Sequence, residues 1–200
     1  MKFIATRALC VLLLATTAAP ALADGAINGM IGGRTMNNEN FWDPLEHQAS
    51  LGVMADVAMG PVLPLWWSAS GVYSGNQKGD VPNDISADIA EVTLGLKLMP
   101  RNGLVRPYLG VGALRNWSSL SAQDNTISDS DASRGWYVDG GAQFRVGSHF
   151  DVALNLRWVK DTQLMLYGVE GDADGRMLTV GAGYAWGDVP ARHHQAREPR

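Results

Sequence analysis

The chain's 200 residues carry 16 Lys+Arg against 20 Asp+Glu, a formal net charge of −4, which suits one domain with a sizeable core and argues against nucleic acid as a partner. One cysteine, Cys10, excludes a disulfide framework, so size, sheet closure or a membrane must hold an exported form together. A mean hydropathy of −0.07 matches a soluble protein, but it also matches a barrel whose alternate residues face opposite solvents and cancel in the average.

Met1 to Ala23 reads as a secretory signal peptide. Lys2 and Arg7 form the charged start, Ala8 to Ala19 the apolar run, and Ala21-Leu22-Ala23 a small-residue cleavage site. The apolar run is short of the roughly 20 residues that a spanning helix needs. Cys10 lies inside that run, preceded by Arg7-Ala8-Leu9 rather than by a lipobox, so no lipoprotein anchor is expected. Cleavage would start the mature chain at Asp24. Without Lys2 and Arg7, 14 of the 16 basic residues remain against 20 acidic, for a net charge of −6. No later apolar run approaches a spanning helix, so any membrane reading must be a barrel reading.

Breakers and period-two alternation divide the rest into eight strand-like segments. The first runs from about Ala26 to Thr35, before a polar stretch with Asn37, Asn38, Glu39 and Asn40. The second, about His47 to Ala58, sets Ala49, Leu51, Val53, Ala55 and Val57 against Asp56, and Met59-Gly60-Pro61 ends it. The third, about Leu65 to Tyr73, opens with Trp66-Trp67 and gives way to polar residues through Gly79, Asp80, Pro82, Asn83 and Asp84. In the fourth, about Ile85 to Met99, Ala90, Val92, Leu94, Leu96 and Leu98 oppose Glu91, Thr93, Gly95 and Lys97, with a turn at Pro100 to Gly103.

The fifth, Arg106 to about Trp117, sets Leu109, Val111 and Ala113 opposite Tyr108, Gly110 and Gly112. Ser118 to Ser133, with Asp124, Asp129 and Asp131, reads as a loop. The sixth alternates most cleanly, with Trp136, Val138, Gly140, Ala142, Phe144 and Val146 against Tyr137, Asp139, Gly141, Gln143 and Arg145. Gly147-Ser148-His149 turns it into the seventh, where Phe150, Val152, Leu154, Leu156 and Trp158 oppose Asp151, Asn155 and Arg157. A long connection from Asp161 to Gly175 precedes the last strand, Met177 to Trp186, and a basic tail with Arg192, His193, His194, Arg197 and Arg200 follows.

The connections alternate long and short, as in transmembrane barrels whose short turns face the periplasm and long loops the outside. The long segments are Arg34 to Glu46, Ser74 to Asp84, Ser118 to Arg134 and Asp161 to Gly175. Aromatic residues gather at strand ends: Trp66, Trp67, Tyr108, Phe144, Phe150, Tyr184 and Trp186 near the short turns, and Tyr73, Trp117, Trp136 and Trp158 near the long ones. Two such belts are what interfacial Trp and Tyr produce in a bilayer. The expected domain plan is a signal peptide at 1–23, a barrel at 24–187 and a short periplasmic tail at 188–200.

Thr179, Gly181, Tyr184 and Trp186 follow the order polar, any, Gly, any, any, aromatic, any, aromatic. That order resembles the C-terminal signal by which the assembly machinery of Gram-negative bacteria recognises outer-membrane barrels. Arg106-Pro107-Tyr108-Leu109-Gly110-Val111-Gly112-Ala113 resembles the Pro-Tyr-x-Gly-x-Gly strand of small barrels related to the membrane domain of OmpA, and Val146 to Phe150 resembles that family's hairpin turn. The resemblance implies an all-β, eight-stranded, antiparallel up-and-down barrel in the outer membrane. It implies outer-membrane lipid and lipopolysaccharide, the barrel-assembly machinery and periplasmic chaperones as partners, with an extracellular ligand of the loops open. OmpA's separate peptidoglycan-binding domain has no counterpart in the short tail. Fold alone does not choose among adhesins, structural barrels and narrow channels.

If the apolar faces meet lipid, Asp56, Glu91, Lys97, Asp139, Arg145, Asp151 and Arg157 point into a lumen just wide enough for side chains to fill it. Charges of both signs there should pair, with Asp139, Asp151 and Glu91 serving Arg145 and Arg157, and plug the barrel. The rival readings are a narrow channel, a secreted ligand-holding barrel of lipocalin type with the faces reversed, and a barrel enzyme acting on lipid A. Lipid A deacylases on similar barrels place His and Ser two apart on one strand, whereas His47 and Ser50 are three apart and face opposite ways. No catalytic site, cofactor or metal is expected. The Asp172-Ala173-Asp174 stretch and Asp129 with Asp131 lack a full calcium-ligand spacing, and Gly110-x-Gly112 and Gly181-x-Gly183 precede no helix that could make a nucleotide loop.

Overall fold

Side chains on a strand alternate between faces, so each segment above has one apolar face and one face of polar or small residues. A bilayer accepts such strands only when every backbone group is paired, which requires the sheet to close on itself. The computed structural model has that closure. It describes residues 24–60, 62–78, 85–122 and 127–187. The leader at 1–23 with its cleavage site, Pro61, the polar stretch 79–84, Asp124 and the tail 188–200 lie outside the described residues.

The strands are β1 (Gly25–Met36), β2 (His47–Ala58), β3 (Leu65–Lys78), β4 (Ile85–Leu98), β5 (Val105–Ala122), β6 (Ile127–Val146), β7 (Phe150–Lys160), β8 (Gln163–Leu166), β9 (Val169–Asp172) and β10 (Gly175–Trp186). A single helical turn, α1 (Glu39–Trp42), sits between β1 and β2. Eight of the strands form a closed antiparallel barrel in the order β1-β10-β7-β6-β5-β4-β3-β2. The closing seam joins β1 to β10 from Gly25↔Trp186 to Met36↔Gly175. β8 and β9 form a separate hairpin within the β7–β10 connection. Its two turn residues, Tyr167 (φ 53) and Gly168 (φ 74), both have positive φ, as a tight two-residue hairpin requires.

The burial pattern is inside out. Ile31, Leu51, Leu94, Leu109, Val111, Leu178 and Val180 lie more than half exposed on the outer surface, whereas the fully buried residues include Asp56, Glu91, Lys97, Asp139, Asp151 and Arg157. Outward apolar and inward polar is the arrangement of a transmembrane barrel and the reverse of a lipocalin's.

Two expected loops are strand wherever they are described. β5 and β6 continue past Trp117 to a register that includes Ala122↔Ile127, so the described residues between Ser118 and Arg134 are paired. β3 likewise continues to Lys78, opposite Ile85. Once the register is set within the membrane, the ladder can continue into water, where a strand needs no apolar outer face. Polar composition alone therefore does not end it.

The β1–β2 and β7–β10 connections meet over the barrel's outer end. Met36, Trp42, Leu45, Ala87, Ile89, Leu164, Leu166 and Ala173 form a buried apolar cluster, with Phe41, Ile85 and Leu120 packed against it. The Trp42 indole donates to the Asp172 carbonyl at 2.7 Å, tying α1 to β9. Asp131 and Asp129 of β6 accept the backbone N–H groups of Met165 and Tyr167, at 2.8 and 2.5 Å, and so dock the β8–β9 hairpin.

Candidate functional site: a paired and capped lumen

Among the described residues, four buried cations, Arg34, Lys97, Arg106 and Arg157, face four buried anions, Asp56, Glu91, Asp139 and Asp151, in the barrel interior. Equal numbers matter because an unpaired charge in such a space costs several kcal/mol in order of magnitude. The charges fall into two groups.

In the group nearer the extracellular end, Glu91 is shared. Its Oε2 accepts from Arg34 Nη2 at 2.7 Å and its Oε1 from Arg157 Nη1 at 3.1 Å. Arg157 also lies 3.6 Å from Asp139, donates to Ser70 Oγ at 3.1 Å, and stacks 4.5 Å above the Tyr137 ring centroid. Ser70 in turn is bonded to Thr93 at 2.7 Å. Asn155 joins the groups by donating to Asp139 at 3.1 Å and to the Tyr108 hydroxyl at 2.8 Å.

Nearer the periplasm, Lys97 Nζ meets both Asp56 oxygens at 3.0 and 3.2 Å and lies 4.5 Å from the Tyr108 ring centroid. Gln143 bridges onward, donating to Asp56 at 2.8 Å and accepting from Arg106 at 2.8 Å. Asp151 closes this group between Arg106, at 2.7 Å, and Arg145, at 2.6 Å. Arg145 is the one member partly open to solvent, beside the β6–β7 turn.

The large rings fit because their neighbours are glycine. A Cβ on Gly95 or Gly112 would collide with Tyr137, and one on Gly141 with the Tyr108 hydroxyl. Met30, Met54, Val72, Ala153 and Met177 pack beside the charges as an apolar filler. Charge pairs at two levels, the apolar cluster beside them and the outer cluster occupy successive levels of the lumen.

All seven charges expected in the lumen face it, and the anticipated partners of Arg145 and Arg157 are the observed ones. Arg34 and Arg106 were missed. Arg34 stands at the end of its strand beside a polar stretch, and Arg106 opens the Pro-Tyr-x-Gly-x-Gly strand beside a turn. Both share the inward parity of their strands, which was the available signal.

Two aromatic assignments are corrected. Trp66 is 1% exposed whereas its neighbour Trp67 is 49% exposed: consecutive strand residues cannot share a face, so only Trp67 can belong to an outer belt. Trp66 donates to the Met99 carbonyl at 2.9 Å and packs with Ala58 and Tyr108 at the periplasmic mouth. Tyr108 is buried by the same alternation, on the face opposite Leu109. Trp117, Trp136 and Trp158 do lie on the outer face, with Tyr73, toward the extracellular end. Thr179 and Gly181 point inward on β10, while Tyr184 and Trp186 point outward.

The remaining candidates are occupied otherwise. His47 is exposed and Ser50 is buried against Ser74 at 2.8 Å, so the two stand on opposite sides of the wall. His149 stacks on Tyr184 at 5.5 Å. The Asp174 carboxylate accepts from Thr162, and Asp172 accepts from Asn38 at 3.3 Å and from the Asp174 amide at 3.1 Å, so these acids cap loops. Asp131 is held below the usual aspartate range by the N–H groups of Met165 and Ala132.

A family model for the outer membrane protein beta-barrel domain matches residues 8–185. The chain belongs to that family. As an outer membrane protein beta-barrel domain it resides in the outer membrane, with its exposed apolar band against lipid. The solved structure of OprG from Pseudomonas aeruginosa is similar at a TM-score of 0.60 and 16% identity, over 84% of this chain and 98% of that one. Neisserial surface protein A gives a TM-score of 0.57 at 13% identity, covering 82% and 97%. Ail, the attachment invasion locus protein of Yersinia pestis, solved with the heparin analogue sucrose octasulfate, gives 0.52 at 15%, covering 82% and 99%. At these identities the likeness is one of fold. No curated protein sequence matches the chain.

Proposed function

We propose that this barrel is a closed envelope protein that acts through its extracellular surface and conducts no solute. The observation that carries the reading is the filled lumen. Eight charges pair across it and the apolar cluster around Trp42 and Leu166 covers its outer end. An ion crossing it would have to break charge pairs in a low-dielectric interior, which is costly. Among the described residues of the lumen no nucleophile, base and oxyanion donor converge, and the role proposed is not a catalytic one.

The outer surface then carries the function. The extended β5–β6 hairpin, the docked β8–β9 hairpin and α1 form an ordered extracellular face, and binding groups favour such connections on a rigid scaffold. An extracellular ligand of this face is part of the reading, as are Trp67, Trp117, Trp136 and Trp158 as interfacial anchors. The Thr179-x-Gly181-x-x-Tyr184-x-Trp186 pattern is proposed as the docking signal for periplasmic chaperones and the assembly machinery. Cleavage after Ala23 would precede that step.

Purified protein in planar bilayers tests the central point. Silent membranes are expected. Steady open conductance would overturn the closed reading in favour of a narrow channel.

A further inference from the structure

On the outer face of four successive strands, the apolar run ends in a cation at the extracellular side. β5 runs Leu109, Val111, Ala113 and then Arg115, and β6 runs Gly140, Val138, Trp136 and then Arg134. β7 runs Leu154, Leu156, Trp158 and then Lys160, and β10 runs Ala182, Val180, Leu178 and then Arg176. All four cationic residues are exposed. On the other four strands the corresponding positions hold Thr35, His47, Gly75 and Asp88. Half of the rim is therefore basic.

The registers make this arc continuous. Arg115 lies directly opposite Arg134, Trp136 opposite Lys160, and Trp158 opposite Arg176. Lys160 has Asp174 at 3.4 Å, and the Trp136 indole donates to Asp161 at 2.5 Å. Arg115 stacks on Trp117 at 5.2 Å. Among the described residues no carboxylate lies within ion-pair distance of Arg115, Arg134 or Arg176.

Like charges set directly opposite on neighbouring strands destabilise a sheet. The lumen of this protein compensates its buried charges one for one, yet here two arginines face each other on the surface with no anion among the described residues. An external anion between them would turn repulsion into two charge-assisted contacts, and arginine forks match phosphate oxygens well. The site's height selects the source. On the outer face the Arg115–Arg134 pair lies one position beyond Trp136 and one short of Trp117, so interfacial tryptophans bracket it at headgroup level, and it opens sideways toward the leaflet.

We propose that Arg115 and Arg134, extended by Lys160 and Arg176, bind the phosphates of glycolipid headgroups in the outer leaflet. The arc serves as a specific lipid site, and it does not depend on whether the lumen conducts.

Tryptophan fluorescence of the purified barrel in neutral detergent, titrated with diphosphoryl lipid A and with the same lipid stripped of its phosphates, provides the test. The parent should prefer the phosphorylated form. The double variant Arg115→Gln/Arg134→Gln should lose about 25-fold in affinity, roughly five-fold per arginine, while Lys78→Gln on β3 should lose nothing comparable. In detergent without phospholipid or lipid A, the double variant should unfold at the same temperature as the parent or higher, because the opposed charges are gone. Equal binding of both lipids, or no change in the double variant, would overturn the proposal. Preferential binding of a sulfated polysaccharide at these residues, with no phosphate preference among lipids, would overturn it in favour of a soluble polyanion.

Discussion

Glu91→Gln is the sharpest test of how the lumen is held together. The change keeps the shape of the side chain and removes one negative charge. Among the described residues Arg34 then loses its one carboxylate partner, and Arg157 keeps Asp139, at 3.6 Å. Removing one partner from a buried pair costs about 3–5 kcal/mol, and the whole of that range is open here because both arginines are fully enclosed. At about 1.4 kcal/mol per tenfold, the folding equilibrium should fall by roughly two to three and a half orders of magnitude. Adding Arg34→Met takes away the stranded cation, and the double variant should recover most of the loss, since well-packed apolar replacements of buried pairs are often neutral. Urea unfolding in lipid vesicles, followed by tryptophan fluorescence, measures both. A loss below about 1 kcal/mol for Glu91→Gln would mean that water solvates these charges, and the compensated-lumen argument would fail.

Two further outcomes are expected. Asp131 is held low by the Met165 and Ala132 amides, so its contribution to hairpin docking is full above the ordinary aspartate range and is lost as pH falls through the lowered value. The Met165 amide resonance in micelles should stay constant down to the usual carboxylate range and move only below it. A transition at or above that range would contradict the assignment. Tyr184→Asp and Trp186→Asp place charge on the lipid-facing side near the interface, where the direct cost is about 0–1 kcal/mol. Their combined effect on the amount of folded protein in outer membranes should nevertheless be severe, through lost recognition by the assembly machinery; normal levels of the double variant would remove that signal.

Period-two alternation made the barrel and its sidedness legible, because the wall is one residue thick and each position must choose lipid or lumen. The same rule contained the answer for Trp66 and Tyr108, but grouping aromatics by distance from a turn ignored parity. The reach of β5 and β6 was not legible. Ser118 to Ser133 is rich in serine and aspartate and reads as loop, whereas its pairing is inherited from the apolar part of the same strands. The outer cap was hidden for another reason. Met36, Phe41-Trp42, Ile89 and Leu164 to Leu166 are short apolar pieces far apart in the chain, and only closure of the barrel brings them together.

The charge pairs have a mechanical side. Arg34 on β1 and Arg157 on β7 both reach Glu91 on β4, and Gln143 on β6 reaches Asp56 on β2. These are struts across a hollow cylinder, joining strands that are not neighbours in the sheet. They need the wall curled until opposite strands face each other, so we expect them to form late in folding. Interactions absent from the transition state slow unfolding more than they hasten folding. The lumen therefore acts as a latch: it resists flattening of the wall under lateral pressure from the bilayer, and it lengthens the lifetime of a barrel already closed. Loosening Glu91 should show first as faster unfolding, with the folding rate nearly unchanged.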